Sequence, residues 1–401
     1  MLFLQLAFAS LGLSLLAGTS LGQEDESEGY TSGMVTLKPS IGLHILRNDN
    51  IYTTPNSAVS SQVLVQSPAL TVEINPGRHK FEFEYQGEFG QFEKDSENDY
   101  TDSLLRAFAS FDLGTRHELD LSASLVDDHE DRGSGLSRAA APGTGGFPPR
   151  PDEFNDRNAS ATYRFGAADA TGRIELGLAT TDREYENNRN RTSVFDRSES
   201  SAMGAFFYRV RPGVDLVLDA QAKDIEYDEE RIGQPGRDGQ QLRLRAGVTW
   251  EPTGQTRGRI RVGRIEKEFD DPGRSTFSGI SWQADLRWSP RSYSHIDLLT
   301  SREPVETIGD GDFMDSRTHR LTWSHEWSDL WESRIGFRIR DEDFVGIDRK
   351  EEMTEWSFNL DYRLRRWVFL QFGVALQSTD ASQESLEYDQ TIFQLGVRLA
   401  P

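Results

Sequence analysis

The sequence predicts an all-β protein: one transmembrane antiparallel up-and-down β-barrel of about 18 strands, with 16 the alternative count. Three observations carry this expectation. Apolar and polar residues alternate over runs of about ten residues, the length and period of a strand that crosses a bilayer with one face in lipid. Tight turns and long acidic connections strictly interleave, which places all the long loops at one end. Only 36% of the 401 residues are hydrophobic, and no uncharged run of spanning length follows the first 22, so helical spans are excluded.

Residues 1–22 form an apolar core ending in small residues, with Ser20 and Gly22 placed for cleavage before Gln23. This reads as a signal peptide, although no Lys or Arg precedes the apolar core. Residues 23–33 then form a short periplasmic segment and 34–401 the barrel. The chain carries 44 basic and 66 acidic residues, a formal charge of −22, which argues against a nucleic-acid partner. With no cysteine, disulfides, thiol nucleophiles and cysteine metal clusters are all excluded.

Alternation is clearest between Asp238 and Trp250, where Leu242, Leu244, Ala246, Val248 and Trp250 share one face and Gln241, Arg243, Arg245, Gly247 and Thr249 the other. Leu119, Leu121, Ala123 and Leu125 repeat the pattern, as do Ile280, Trp282, Ala284, Leu286 and Trp288, and Trp356, Phe358, Leu360 and Tyr362. Eighteen strands follow, over 34–47, 62–75, 78–92, 100–113, 116–127, 153–166, 172–184, 196–210, 213–227, 239–250, 256–267, 276–288, 292–302, 313–327, 331–343, 350–363, 366–378 and 386–399. Their tight connections, such as Asn75-Pro76-Gly77, Gly114-Thr115, Arg211-Pro212 and Ser289-Pro290-Arg291, use turn-forming residues. The long ones include 93–99, 128–151, 185–195, 229–237, 303–312 and 344–349. A soluble sandwich would also alternate. The membrane reading is favoured by the run length and by aromatic residues beside the tight turns, among them Phe165, Tyr208, Trp250, Trp288, Tyr293, Trp327, Trp331 and Trp367.

The first hairpin, Lys38-Pro39-Ser40-Ile41-Gly42-Leu43 through Arg47-Asn48-Asp49-Asn50-Ile51-Tyr52, resembles the beta-barrel porin type 2 family, as do Ser67-Pro68-Ala69-Leu70 and the Asn-Pro-Gly turn. The resemblance implies a Gram-negative outer-membrane location and a link to exopolysaccharide export. One departure is the C terminus, which finishes on Ala400-Pro401 instead of an aromatic residue.

If the apolar faces meet lipid, the polar faces line a lumen. Its expected pore-lining residues are Arg243, Arg245, Arg257, Arg259 and Arg261 on neighbouring strands, a second ladder of Arg334, Arg338 and Arg340, and the carboxylates Asp215, Asp219, Asp285 and Asp361. Such walls set up a transverse field and many hydrogen-bond donors; alternatively, acid and base pair and brace the wall. The Gly-, Pro- and Ala-rich segment 128–151 is the expected constricting loop. Acid is expected in the external loops and arginine inside.

No catalytic residue, metal ligand set or cofactor is expected. The seven histidines lack His-Glu-x-x-His spacing, and neither a nucleophile elbow nor a phosphate loop is present. The expected function is a non-enzymatic channel with outer-membrane lipid, a polysaccharide cargo and periplasmic export components as partners. A general small-solute porin is the alternative, and from other classes a lipase- or protease-type barrel enzyme or a structural or adhesive barrel.

Overall fold

The computed structural model describes residues 29–137, 150–231 and 233–401. The expected signal peptide, and residues 138–149 of the expected constricting loop, lie outside the described residues. A short strand β1 (Tyr30–Ser32) leads into β2 (Val35–Asn48), β3 (Ser61–Ile74), β4 (Lys80–Phe92), β5 (Tyr100–Asp112), β6 (His117–Glu130), β7 (Asp152–Phe165), β8 (Gly172–Tyr185), β9 (Arg197–Arg211) and β10 (Val214–Tyr227). The second half comprises β11 (Gly239–Thr253), β12 (Thr256–Phe269), β13 (Phe277–Arg291), β14 (Ser294–Val305), β15 (Phe313–Ser328), β16 (Trp331–Val345), β17 (Arg349–Arg365), β18 (Val368–Ala381) and β19 (Tyr388–Leu399). Each of β2 to β19 pairs antiparallel with its sequence neighbours, and β19 returns to β2, so eighteen strands close into a barrel.

The two faces sort as the alternation requires. Leu43, Leu121, Leu176, Leu218, Leu244 and Leu395 are exposed on the outer face, as a surface made for lipid must be. Their sequence neighbours His44, Glu175, Asp219, Arg245 and Gln394 are buried on the inner side. Large aromatics near the tight turns also stay exposed: Tyr208, Trp288, Tyr293, Trp327, Trp331 and Trp367. This is the girdle expected at a membrane interface. His325 joins it, its ring 4.3 Å from Trp327 and 5.5 Å from both Trp323 and Tyr293.

Most strands run longer than the alternation suggested. β6 continues to Glu130, β13 to Arg291, β14 to Val305 and β18 to Ala381. Strand pairing persists beyond the point where outward side chains turn polar, because backbone bonds need no apolar face once the chain leaves lipid. The additional strand β1 lies in the expected periplasmic segment. It pairs Tyr30 with Leu37 and Ser32 with Val35, covering the edge of β2 that β19 does not reach.

The seam between the first and last barrel strands runs from Ile392 opposite Asn48 to Leu399 opposite Ile41. Beyond the ladder, the Asp49 amide donates to the Thr391 carbonyl at 3.2 Å. Inside the barrel, His44 reaches across β19 at Gly396 to Gln371 of β18, with Nε2 2.9 Å from Oε1, and Gln371 donates to Asp361 at 2.9 Å. A Cβ at Gly396 would sit 2.0 Å from Cδ2 of His44, so only glycine lets the imidazole cross. We therefore expect Gly396→Val to displace His44 and weaken the seam by about 1–3 kcal/mol, the usual cost of overpacking. The check is the temperature at which the folded band is lost on SDS gels, which should fall by several degrees; an unchanged midpoint would show that the clasp contributes nothing.

Candidate channel lumen

Inward-facing side chains divide the lumen by charge. Glu82, Glu84 and Glu88 of β4, Asp102 of β5 and Asp120 of β6 make one wall acidic. Arginines are densest on β11, β12 and β16, on the other half of the ring, while Arg106, Arg164, Arg173, Arg183 and Arg209 on β5, β7, β8 and β9 pair with inward carboxylates. Carboxylates were expected in the lumen beside the arginines, and β4, β5 and β6 add a concentrated acidic stretch of wall to those named from the sequence. Some are neutralised locally. Arg106 lies 2.6 Å from Glu84 and 3.3 Å from Glu82, and Arg164 ties Glu118, Asp120 and Glu175 together at 3.0, 2.5 and 3.1 Å.

The residues expected to line the lumen fall into two groups. Arg245 and Arg261 both reach Asp219, at 3.0 and 3.4 Å, and all three are buried. Arg259 pairs with Asp285 at 2.8 Å, and Arg243 stretches over β12 and β13 to Glu303 of β14 at 3.5 Å. Arg257 stays exposed opposite Arg287, with no ion pair of its own among the described residues. In the second group each guanidinium has its own carboxylate: Arg334 with Glu332 at 3.1 Å, Arg338 with Glu355 at 3.2 Å and Arg340 with Glu342 at 3.3 Å. Asp215 accepts from Arg209 at 2.9 Å and also pairs with Arg173, far from the first group along its strand. Asp361 accepts from Gln371 in the seam.

The ladder geometry of β11 and β12 explains how the first group is assembled. Arg245 stands opposite Gly263, and Arg261 opposite Gly247. The two strands approach so closely on their inner side that a Cβ at Gly247 would lie 1.9 Å from the Ile260 carbonyl, and one at Gly263 1.9 Å from that of Leu244. Glycines at both positions permit this approach and leave each arginine free to lie over its neighbour strand.

The external mouth is bound together by its loops, an arrangement with no signature in the local sequence. Loop 306–312, between β14 and β15, places Ile308 against Phe154, Tyr185 and Phe195, a buried cluster formed by β7, β8 and loop 186–196, with Leu136 and Val194 packed on it. At the root of this loop Glu306 bonds Lys267 of β12, which is fully buried, and accepts from the Tyr227 hydroxyl at 2.9 Å. Arg231 donates to the Gly309 carbonyl at 2.8 Å, and Arg274 pairs with Asp312. The expected constricting segment takes part through Leu136 and through Arg132, which donates to Asn98 at 2.6 Å; burial lowers Arg132 to about 10.

At the outer ends of β5 and β6, Asp102, Asp128 and His129 bring their ligand atoms within 4.8 Å of one another. His129 lies 3.0 Å from Asp102 through Nδ1 and 3.6 Å from Asp131 through Nε2, and stacks 4.4 Å from the Tyr100 ring. These residues have the ligand chemistry for a divalent cation, but a protonated imidazole between two carboxylates satisfies the same charges.

With this geometry in view, comparison with known proteins is informative. A family model described as "Putative beta-barrel porin 2" matches residues 25–401. The chain belongs to that family. No curated protein sequence matches. Among solved structures it is similar to OccK2 (OpdF) of Pseudomonas aeruginosa, with 10% identity over 91% of this chain and 98% of that one and a TM-score of 0.49. It is similar also to OccAB4 of Acinetobacter baumannii, at 10% identity, 92% and 99% coverage and a TM-score of 0.47. The FrpB iron transporter of Neisseria meningitidis matches at 9% identity and a TM-score of 0.46; the match covers 85% of this chain but only 62% of the transporter. This member of the porin family is thus an outer-membrane porin-like β-barrel with a divided, charged lumen.

Two tests follow from the loops of this porin-family barrel. Lys267→Met leaves Glu306 buried without its cation, a loss of about 3–5 kcal/mol for a broken buried pair. Limited proteolysis should then cut within 306–312 at least tenfold faster than in the wild type, and equal rates would refute the anchoring role. In loop 270–276, the Asp271 carboxylate accepts from the Gly236 and Gly273 amides at 2.9 and 2.8 Å, which hold it below the usual carboxylate range. Its contribution is complete above about pH 4 and is lost as pH falls through the depressed folded value. Amide exchange at Gly236, corrected for its intrinsic rate, should accelerate only in that acid window, and in Asp271→Ala it should be fast throughout.

Proposed function

We propose that this barrel is a passive outer-membrane channel and serves as a conduit for exopolysaccharide, performing no covalent chemistry. The observation that carries the proposal is the opposition of an acidic wall and two arginine ladders inside a closed barrel whose outer face is apolar. A barrel of eighteen strands is wide enough for an aqueous path, and its charged walls offer a hydrated polymer many donors and acceptors in place of water. Arg243, Arg245, Arg257, Arg259, Arg261, Arg334, Arg338 and Arg340 are the residues along that path, with Asp215, Asp219, Asp285 and Asp361 completing its charge pattern. Membership in a porin family supports the channel. The cargo rests on the family resemblance and on the lumen chemistry, and it brings periplasmic export components as partners.

The loop knot at the mouth makes the expected behaviour that of a gated channel: purified barrels in planar bilayers should give small or intermittent currents at rest. Linear oligosaccharides should interrupt these currents for longer as chain length increases. Free small-solute flux with no length dependence would favour a general diffusion porin instead. A folded barrel that passes no current but hydrolyses lipid or peptide would overturn the channel.

A further inference from the structure

We infer that the corner formed by β11 and β12 is a subsite for an oxyanion, the carboxylate, phosphate or sulfate group of a passing solute or polymer unit. This rests on the channel reading and specifies the chemistry of what the channel takes. The subsite is bounded by Arg243, Arg245 and Arg261, with Arg259 beside them and Gly247 and Gly263 as its floor.

Three features converge there. The first is stoichiometry: four guanidiniums, Arg243, Arg245, Arg259 and Arg261, share three carboxylates, with Asp219 divided between two of them and Glu303 held at 3.5 Å. One positive charge therefore lacks a full partner inside a wall that burial shields from water. The second ladder differs, because each of its arginines has its own carboxylate within 3.3 Å. It braces the wall, and the first ladder retains capacity.

The second feature is unspent donors. Arg261 is only 9% exposed, yet its Nε has no acceptor, and Nε of Arg243 has none either. A buried donor without a partner is costly, and a ligand oxygen would remove that cost. Nε of Arg338 and Arg340 also lacks an acceptor, so the carboxylate count, not the orphaned donors alone, distinguishes the two ladders.

The third feature is shape. Glycine at 247 and 263 lets β11 and β12 approach closely, since a Cβ at either position would strike the backbone of the other strand, and this close approach brings the guanidiniums of the two strands together. Planar guanidinium groups presented from two strands suit the paired oxygens of a carboxylate or phosphate, which accept two parallel N–H bonds. A neutral sugar can offer paired hydroxyl oxygens but no negative charge to offset the guanidiniums.

The test uses the full barrel in planar bilayers with galacturonate, glucose 6-phosphate and sodium sulfate as probes and glucose as the neutral control. We expect at least one oxyanion to reduce the wild-type current saturably at concentrations where glucose has no effect; the probe with the lowest half-blocking concentration identifies the group. Arg243→Gln and Arg261→Gln should each raise that concentration about tenfold, and Arg264→Gln, at an exposed guanidinium of β12 outside the path, should leave it unchanged. Saturable block that survives both substitutions, or that is lost in Arg264→Gln instead, overturns the subsite. If the folded barrel passes no current, the channel reading fails separately, and titration calorimetry in detergent decides the subsite. Saturable oxyanion binding lost in Arg261→Gln upholds it, and no saturable heat with any of the three probes overturns it. Folded-band heat resistance on SDS gels confirms that each variant retains the barrel.

Discussion

Lipid offers a strand edge no hydrogen-bond partner, and the rest of the structure depends on that constraint. A spanning sheet must close, because each unpaired backbone group in hydrocarbon costs several kcal/mol. Here closure falls to β19 and β2, the two barrel strands furthest apart in sequence. The seam is reinforced accordingly. β1 covers the part of β2 that β19 leaves open, and His44 crosses Gly396 to hold the next strand along. Both devices serve the backbone, and neither contributes a lipid-facing side chain.

Closure also imposes curvature, and curvature decides where the lumen chemistry lies. Side chains on the concave face crowd as the sheet bends, so at the tightest approach the inner positions must be small. On β11 and β12 those positions are Gly247 and Gly263, each opposite an arginine. The same bend that requires glycine brings the guanidiniums of two strands together. On β16 and β17, Arg338 meets Glu355 directly across the ladder and the charges cancel in place.

The strands were legible in the sequence because their signal is local. A residue such as Leu244 shows its outward face through its neighbours Arg243 and Arg245, and period two fixes which residues share a wall. The arginine ladders were legible for the same reason. Pairing partners were only partly legible: Arg259 with Asp285 follows from adjacent strands, but Arg243 with Glu303 requires a reach across two intervening strands that no spacing encodes. The mouth was not legible at all. Ile308, Phe154 and Phe195 come from separate connections and strands, and Lys267 looks like any inward polar residue until Glu306 folds onto it. The last strand ends at Leu399, where the alternation placed its end, and starts at Tyr388, two residues later than the alternation placed it.

The net charge of −22 takes on a different meaning once it is divided by place. Excess acid on external loops keeps them solvated, but the acid on β4, β5 and β6 faces inward, across the ring from β13, β14 and β15. Uniform repulsion from such a wall would exclude every anion. Arginines on β11 and β12 outnumber the carboxylates they pair with, whereas those on β16 are each paired, so the positive side of the cross-section lies at the β11–β12 corner. A charged solute moving through such a section is pressed toward one wall, where bound water is exchanged for oriented donors at little reorganisation cost. On the channel reading proposed above, selection would depend on which wall a solute is driven against, and the overall charge of the protein would be a poor guide to what it admits.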